Sequence, residues 1–219
     1  MKFLLVLAIL LFSFVFTSAQ TEQAPIQEKE FSYKNWTYKG VRDGKEINLR
    51  EFTKDKKLVL VVYFAPWCPN WKHQAPFTQK LYEKYKSAGL EIIGIGEYDT
   101  VEAMKTSLDF YKITFPVVYE STSLDAREKT QHFNHRKEVG DTRKWGSPWN
   151  VFLEPAKLTD GEVLSKKAHI VNGELIEAEA EKFVREKLGL PAESASGATA
   201  KKEIEACEGE KKIADFKKP

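Results

Sequence analysis

Two thiols stand in the chain, Cys68 and Cys207, and their settings differ. The thiolate, not the thiol, is the nucleophilic form of sulfur, so the setting decides the chemistry. Cys68 follows an apolar run, Lys57 to Phe64, and a break at Ala65-Pro66-Trp67. Pro69 comes directly after it, and proline suits the first turn of a helix, where a missing N–H costs nothing. Cys68 therefore falls at or just before a helix N-terminus. Unpaired backbone N–H groups and the positive end of the helix dipole stabilise a thiolate at such a place. Cys207 has no motif around it. It is read either as a resolving thiol on a flexible tail or as a bystander.

Other chemistries find less support. Two cysteines do not make a disulfide framework, and no zinc-type Cys/His spacing is present. His132 and His135 form a short H-x-x-H, with no third ligand signalled nearby. No metal and no cofactor is expected. Copper delivery is a weak third reading, because Cys68 lacks a second thiol ligand within reach in sequence. The net charge is +2, one unit of it in Lys2, which gives no electrostatic case for nucleic acid or an anionic membrane.

The elements that must position Cys68 follow from patterning. With 219 residues the chain can hold one domain with additions and a core stable without disulfides. Met1 to Ala19 reads as a secretory signal peptide: Lys2, an apolar stretch Phe3 to Phe16, then the small residues Thr17-Ser18-Ala19. The apolar stretch is short for a membrane span, so no stable insertion is expected after cleavage. A periplasmic or extracellular location follows, where disulfide chemistry is permitted. Residues 20–30 read as a polar linker. Phe31 to Tyr38 alternates like an edge strand, and Asp43-Gly44 signals a hairpin turn. The run before Cys68 suits a strand buried on both faces. The helix after Cys68 is expected to reach about Lys86, with a kink at Pro76. Glu91 to Gly96 is a second buried strand, Val101 to Tyr111 an amphipathic helix, and Phe115 to Tyr119 a third strand. That order is the βαβ grammar of a parallel sheet. Glu120 to Lys144 reads as an inserted loop or short helix bordering the site. Trp149 to Glu154 and Glu162 to Val171 are strands, the latter with lysines that suit a sheet edge. Ile176, Ala180, Phe183, Val184 and Leu188 line a final helix, and residues 191–219 form a disordered or weakly helical tail.

The segment APWCPNWKHQAP, Ala65 to Pro76, resembles the active-site segment of thioredoxin-like proteins, closest to the extracytoplasmic TlpA/ResA-type redoxins and the broader AhpC/TSA group. Trp67, Cys68 and Pro76 match the W-C-x-x-C pattern and its later proline. Trp71 takes the place of the second Cys. The resemblance covers about residues 28 to 190. It implies an α/β thioredoxin-like fold, a central mixed sheet flanked by helices with an N-terminal hairpin extension. It also implies a domain over 31–190, and a cis-proline at Pro148 opposite Cys68, with Ser147 offering its backbone to an extended substrate. The family's usual acids are replaced by Val62 and Gln74. The Thr that peroxiredoxins carry three residues before their Cys is here Ala65, which argues against peroxidase chemistry.

Two functions compete. In the first, Cys68 is the catalytic group of a monothiol thiol–disulfide oxidoreductase, supported by Trp67, Trp71, Ser147 and Pro148, with Cys207 as a possible resolving thiol. Its partners are thiol- or disulfide-bearing proteins, peptides or small thiols. In the second, a degenerate thioredoxin scaffold holds peptides without efficient catalysis. Trp67, Trp71 and Trp145 either converge on Cys68 as an aromatic groove or simply fill core.

Overall fold

Strand β5, Leu58–Phe64, is buried along its whole length. Its Val- and aromatic-rich composition leaves no polar face, so it needs cover on both sides. Leu60, Val62 and Phe64 face one cluster, and Val59, Val61 and Tyr63 face the other. The computed structural model describes residues 22–191. The expected signal segment 1–19, most of the tail and Cys207 lie outside the described residues.

An eight-stranded mixed sheet is built around β5 in the order β2-β9-β8-β5-β6-β7-β3-β4. The strands are β2 (Gln27–Lys34), β3 (Thr37–Gly40), β4 (Glu46–Asn48), β6 (Leu90–Gly96), β7 (Val117–Tyr119), β8 (Trp149–Leu153) and β9 (Val163–Val171). A separate parallel pair joins β1 (Gln23–Ala24) to β10 (Glu174–Leu175). Strands β5, β6 and β7 run parallel, while β8 runs antiparallel to β5, with Val61 opposite Val151. Helices α2 (Pro69–Tyr85), α3 (Val101–Phe110) and α5 (Glu177–Leu188) cover the face of Leu60 and Val62. Short helix α1 (Leu49–Thr53) and helix α4 (Gln131–Glu138) meet the opposite face, where Leu49, His132 and His135 pack. This is the thioredoxin-like α/β arrangement. Among the described residues no helix is long and apolar enough to cross a membrane.

Three expectations are corrected. Residues 27–30 are strand rather than linker: Gln27 to Glu30 pair in register with Ile170 to Lys167. Phe31 to Tyr38 is two strands in opposite halves of the sheet, not one: β2 forms one edge, and β3 lies between β7 and the other edge strand, β4. The alternation Phe31, Tyr33 slips by one place to Trp36, Tyr38, so that after the chain changes strands both pairs still pack on the same face of the sheet. The chain crosses there, with Trp36 buried and stacked on Tyr38 at 4.8 Å. Finally, β9 is not an edge, because β2 covers it. The Asp43-Gly44 hairpin is present, with Lys39 opposite Glu46. Helix α2 continues past Pro76.

Hydrogen exchange checks this architecture. Amides of β5 have partners on both sides and no solvent face, so they exchange only through global unfolding. Those of edge strand β2, whose register is irregular between Glu30 and Lys34, exchange faster by local opening. Equal protection in both strands would contradict the sheet order.

Candidate active site

Cys68 is the N-cap of α2, and Pro69 opens the helix. Its amide donates to the Ala65 carbonyl at 3.0 Å, and its own carbonyl accepts from the Lys72 amide at 3.1 Å. These bonds hold the sulfur over the C-terminal end of β5. The thiol donates to the Ser147 carbonyl at 3.0 Å, and the Ser147 hydroxyl oxygen accepts from the Ala65 amide at 2.8 Å. The Ser147–Pro148 peptide is cis. The structure thus brings Cys68, Ser147 and Pro148 together, all of them buried, with Cys68 6% exposed.

The tryptophans divide. Trp67 is half-buried and meets Trp145 edge to face at 5.4 Å. Trp145 also carries the Arg127 and Lys144 cations over its ring. Trp71 is fully buried, stacked on Phe64 at 4.3 Å, and its indole N–H donates to the Ser107 hydroxyl at 3.3 Å. It fills core and does not wall a groove. Trp149 packs on Tyr63 at 5.3 Å. An open groove of about 530 Å³ does lie beside Trp67, between Pro66, Lys72, Ala103 and the exposed ring of Phe110. Neither Trp71 nor Trp145 lines it.

Gln74 and Val62 have no acid–base role here. The Gln74 amide is spent on Asn150 and on the Leu175 amide, at 2.8 and 2.9 Å. Val62 is core.

The segment after β7 contributes more than its composition signalled. The Glu120 carboxylate accepts from the amides of Gln131 and His132, at 2.5 and 3.2 Å, and so caps α4. His132 stacks on Tyr63 at 4.8 Å and bonds Tyr98 Oη through Nδ1 and the Gly146 carbonyl through Nε2, at 2.8 and 3.2 Å. With both ring nitrogens engaged, His132 has no lone pair to offer a metal. Among the described residues no group of three or more His, Cys, Asp or Glu stands together as a metal site. Burial, and then Arg136, push the His132 pKa well below the usual imidazole range. Burial and Lys34 lower that of His135 to about 4. Burial and the neighbouring Glu120 raise the Glu97 carboxyl well above its ordinary range. Burial works to raise the Asp141 carboxyl, but Arg143 and Arg136 outweigh it and hold the group at about 2. Sequence reasoning missed these roles. The available signals were the H-x-x-H spacing and the glycine directly before Ser147.

A family model for AhpC/TSA matches residues 17–138, more than half of the chain. The chain belongs to the AhpC/TSA family. Relatives of this AhpC/TSA member include a thiol-disulfide oxidoreductase ResA of Bacillus thuringiensis, 33% identical over 78 residues, which are 36% of this chain and 44% of the relative. A chloroplastic peroxiredoxin Q of Triticum aestivum is 33% identical over 118 residues, 54% of this chain and 46% of the relative. The chain spans less than half the length of these curated relatives. Among solved structures, a thiol:disulfide interchange protein of Chlorobium tepidum superposes with a TM-score of 0.54 at 19% identity, over 73% of this chain and 97% of that one. A secreted thiol-disulfide isomerase of Corynebacterium glutamicum does so with 0.54 at 14%, over 74% and 92%. At those identities the likeness shows the thioredoxin-like fold.

The buried histidines set a pH prediction. His135 has its folded pKa below the unfolded value of 6.5, so the unfolded chain binds the extra proton. The contribution of the neutral ring is full above pH 6.5 and is lost on acidification towards pH 4, on the order of 3 kcal/mol in all. Glu97 works in the opposite sense, losing stability as pH rises above 4.5, so the difference between chains is the readout. Denaturant titrations of His135→Gln are expected to show a shallower loss of stability than wild type between these pH values. Parallel curves would contradict a neutral buried His135.

Proposed function

We propose that this chain is a thiol–disulfide oxidoreductase acting through the single thiol of Cys68. The observation that carries the reading is the placement of that sulfur. It sits at the first turn of α2 against the backbone before Pro148, and the side chain three residues on is an indole locked in the core rather than a second thiol. The thiolate attacks one sulfur of a disulfide. A Cys68–substrate S–S bond forms, the substrate's own S–S bond breaks, and the departing sulfur leaves as a thiolate that takes a proton from water. An external thiol then attacks the mixed disulfide, restoring Cys68 and carrying the substrate sulfur away. The hydrogen bond to the Ser147 carbonyl exists only while sulfur holds its proton. Ionisation frees that oxygen for an amide of an extended substrate.

Substrates of this reading are disulfide-bearing proteins or peptides, and the groove beside Trp67 and Phe110 suits an apolar side chain flanking the disulfide. Export through residues 1–19 belongs to the same reading and rests on the sequence pattern. So do a tail from residue 191 and a supporting role for Trp67 beside the sulfur. A second reading, a peptide-binding module, draws on the low exposure of Cys68 and on the amide lock at Gln74.

Turnover of a disulfide-bearing peptide with reduced glutathione as external thiol separates the two. Wild type is expected to turn over, Cys68→Ser to fall to the uncatalysed background, and Cys207→Ser to retain the wild-type rate. A wild type with no turnover, whose Cys68→Ser variant still binds the peptide, would establish the binding module instead. Loss of turnover in Cys207→Ser would assign it the resolving role.

A further inference from the structure

We propose that His132 is a positioning residue for the Cys68 reaction, holding the backbone before Pro148 in place to receive a substrate strand. The inference rests on the oxidoreductase reading above and adds a residue to it.

The contacts form a continuous line from the sheet to the sulfur. Glu120, directly after β7, caps α4 through the Gln131 and His132 amides. With the N-cap Thr130, whose hydroxyl oxygen accepts from the Phe133 amide, that anchors the start of α4, and His132 lies in its first turn. The ring is clamped flat on Tyr63, the strand residue just before Phe64. Nε2 lies 3.2 Å from the Gly146 oxygen. A carbonyl oxygen only accepts, so Nε2 carries the proton. Nδ1 is then bare and accepts from the Tyr98 hydroxyl at 2.8 Å. One tautomer satisfies both bonds. The next carbonyl along the chain, that of Ser147, is the one the Cys68 thiol contacts.

Gly146 is packed directly against the Arg136 guanidinium. Its φ is +56°, and a Cβ there would stand 1.8 Å from the Arg136 guanidinium carbon. Arg136 bonds the Asp141 carboxylate at 2.9 Å and the Arg143 carbonyl, and Arg143 reaches the Pro148 carbonyl at 3.4 Å. Residues 141–146 are thus clasped by His132 and Arg136 of α4, and His132 holds the carbonyl next to that of Ser147. Removing it leaves the Gly146 carbonyl buried without its donor, and the backbone before Pro148 must be ordered anew by each incoming substrate.

The test uses the full chain and two probes. The first is a short extended peptide whose cysteine is capped with nitrothiobenzoate. Attack by the Cys68 thiolate forms an S–S bond to the peptide, breaks the cap's S–S bond and releases coloured nitrothiobenzoate as a thiolate. The second is iodoacetamide, which needs no docked backbone. His132→Leu is expected to react with the peptide about tenfold more slowly than wild type and with iodoacetamide within about threefold. His132→Gln, whose side-chain N–H can again donate to Gly146, is expected to recover most of the peptide rate. A folded His132→Leu chain with the wild-type peptide rate would overturn the positioning role, as would a Gln variant as slow as Leu. If the Leu variant does not fold, nitrogen-detected NMR of the wild-type ring decides: the Nε2–H tautomer supports the clasp, and the Nδ1–H tautomer overturns it. A wild type inert to the peptide would instead overturn the oxidoreductase reading, and the positioning role with it.

Discussion

The hydrogen bond from the Cys68 thiol to the Ser147 carbonyl joins the two places on which the site depends. One is the strand–turn–helix unit of β5 and α2, which sets the sulfur at a helix N-cap. The other is the backbone before Pro148, which enters β8 alongside β5. Each is held by further bonds, and Ala65 takes part in both. The sulfur side is fixed by the buried strand and by the amide bond from Cys68 to Ala65. The carbonyl side is fixed by the Ser147 hydroxyl, Arg143 and the ring of His132. A donor and acceptor brought together from two rigid supports need little further ordering when a substrate arrives.

Buried polar groups collect where the parallel strands end. Glu97 follows β6, Glu120 follows β7, and Ser121 donates to Glu97 at 2.5 Å. Such groups are expensive unless they are satisfied, and they specify one arrangement when they are. Here much of the satisfaction comes from α4, whose N-terminal amides meet Glu120 and whose His132 meets Tyr98 and Gly146. The segment between β7 and β8 therefore serves as a buttress for the site, although its composition is that of a solvated loop.

Much of this was legible in the residues. The doubly buried β5, the helix opened by Pro69 and the βαβ order follow from apolar runs and breakers, because local sterics and two-sided burial dictate them. The cis peptide before Pro148 came from the motif resemblance. The path of the first strands was harder to read. Whether Phe31 and Tyr38 share a strand depends on a one-residue slip at Asn35-Trp36, which becomes decisive only when β9 and β7, in opposite halves of the sheet, each take a strand from this stretch. Trp71 stayed open between groove and core, because a tryptophan three residues after a helix N-cap points inward as readily as outward. Its fate is set by Phe64 and Ser107, from other elements. His132 stood out only for its H-x-x-H spacing and Arg136 not at all, since their partners Gly146 and Asp141 come from a loop whose course the sequence does not encode locally.

The proposed thiol chemistry requires that the sulfur of Cys68, although bonded to the Ser147 carbonyl, react with an electrophile in the folded chain. Its most direct test is the rate of iodoacetamide labelling of Cys68 across a pH series in the Cys207→Ser chain, compared with a free cysteine peptide. A rate at neutral pH at least equal to that of the peptide is expected. Labelling orders of magnitude slower at every pH, recovered only on unfolding, would show a buried inert thiol and contradict it.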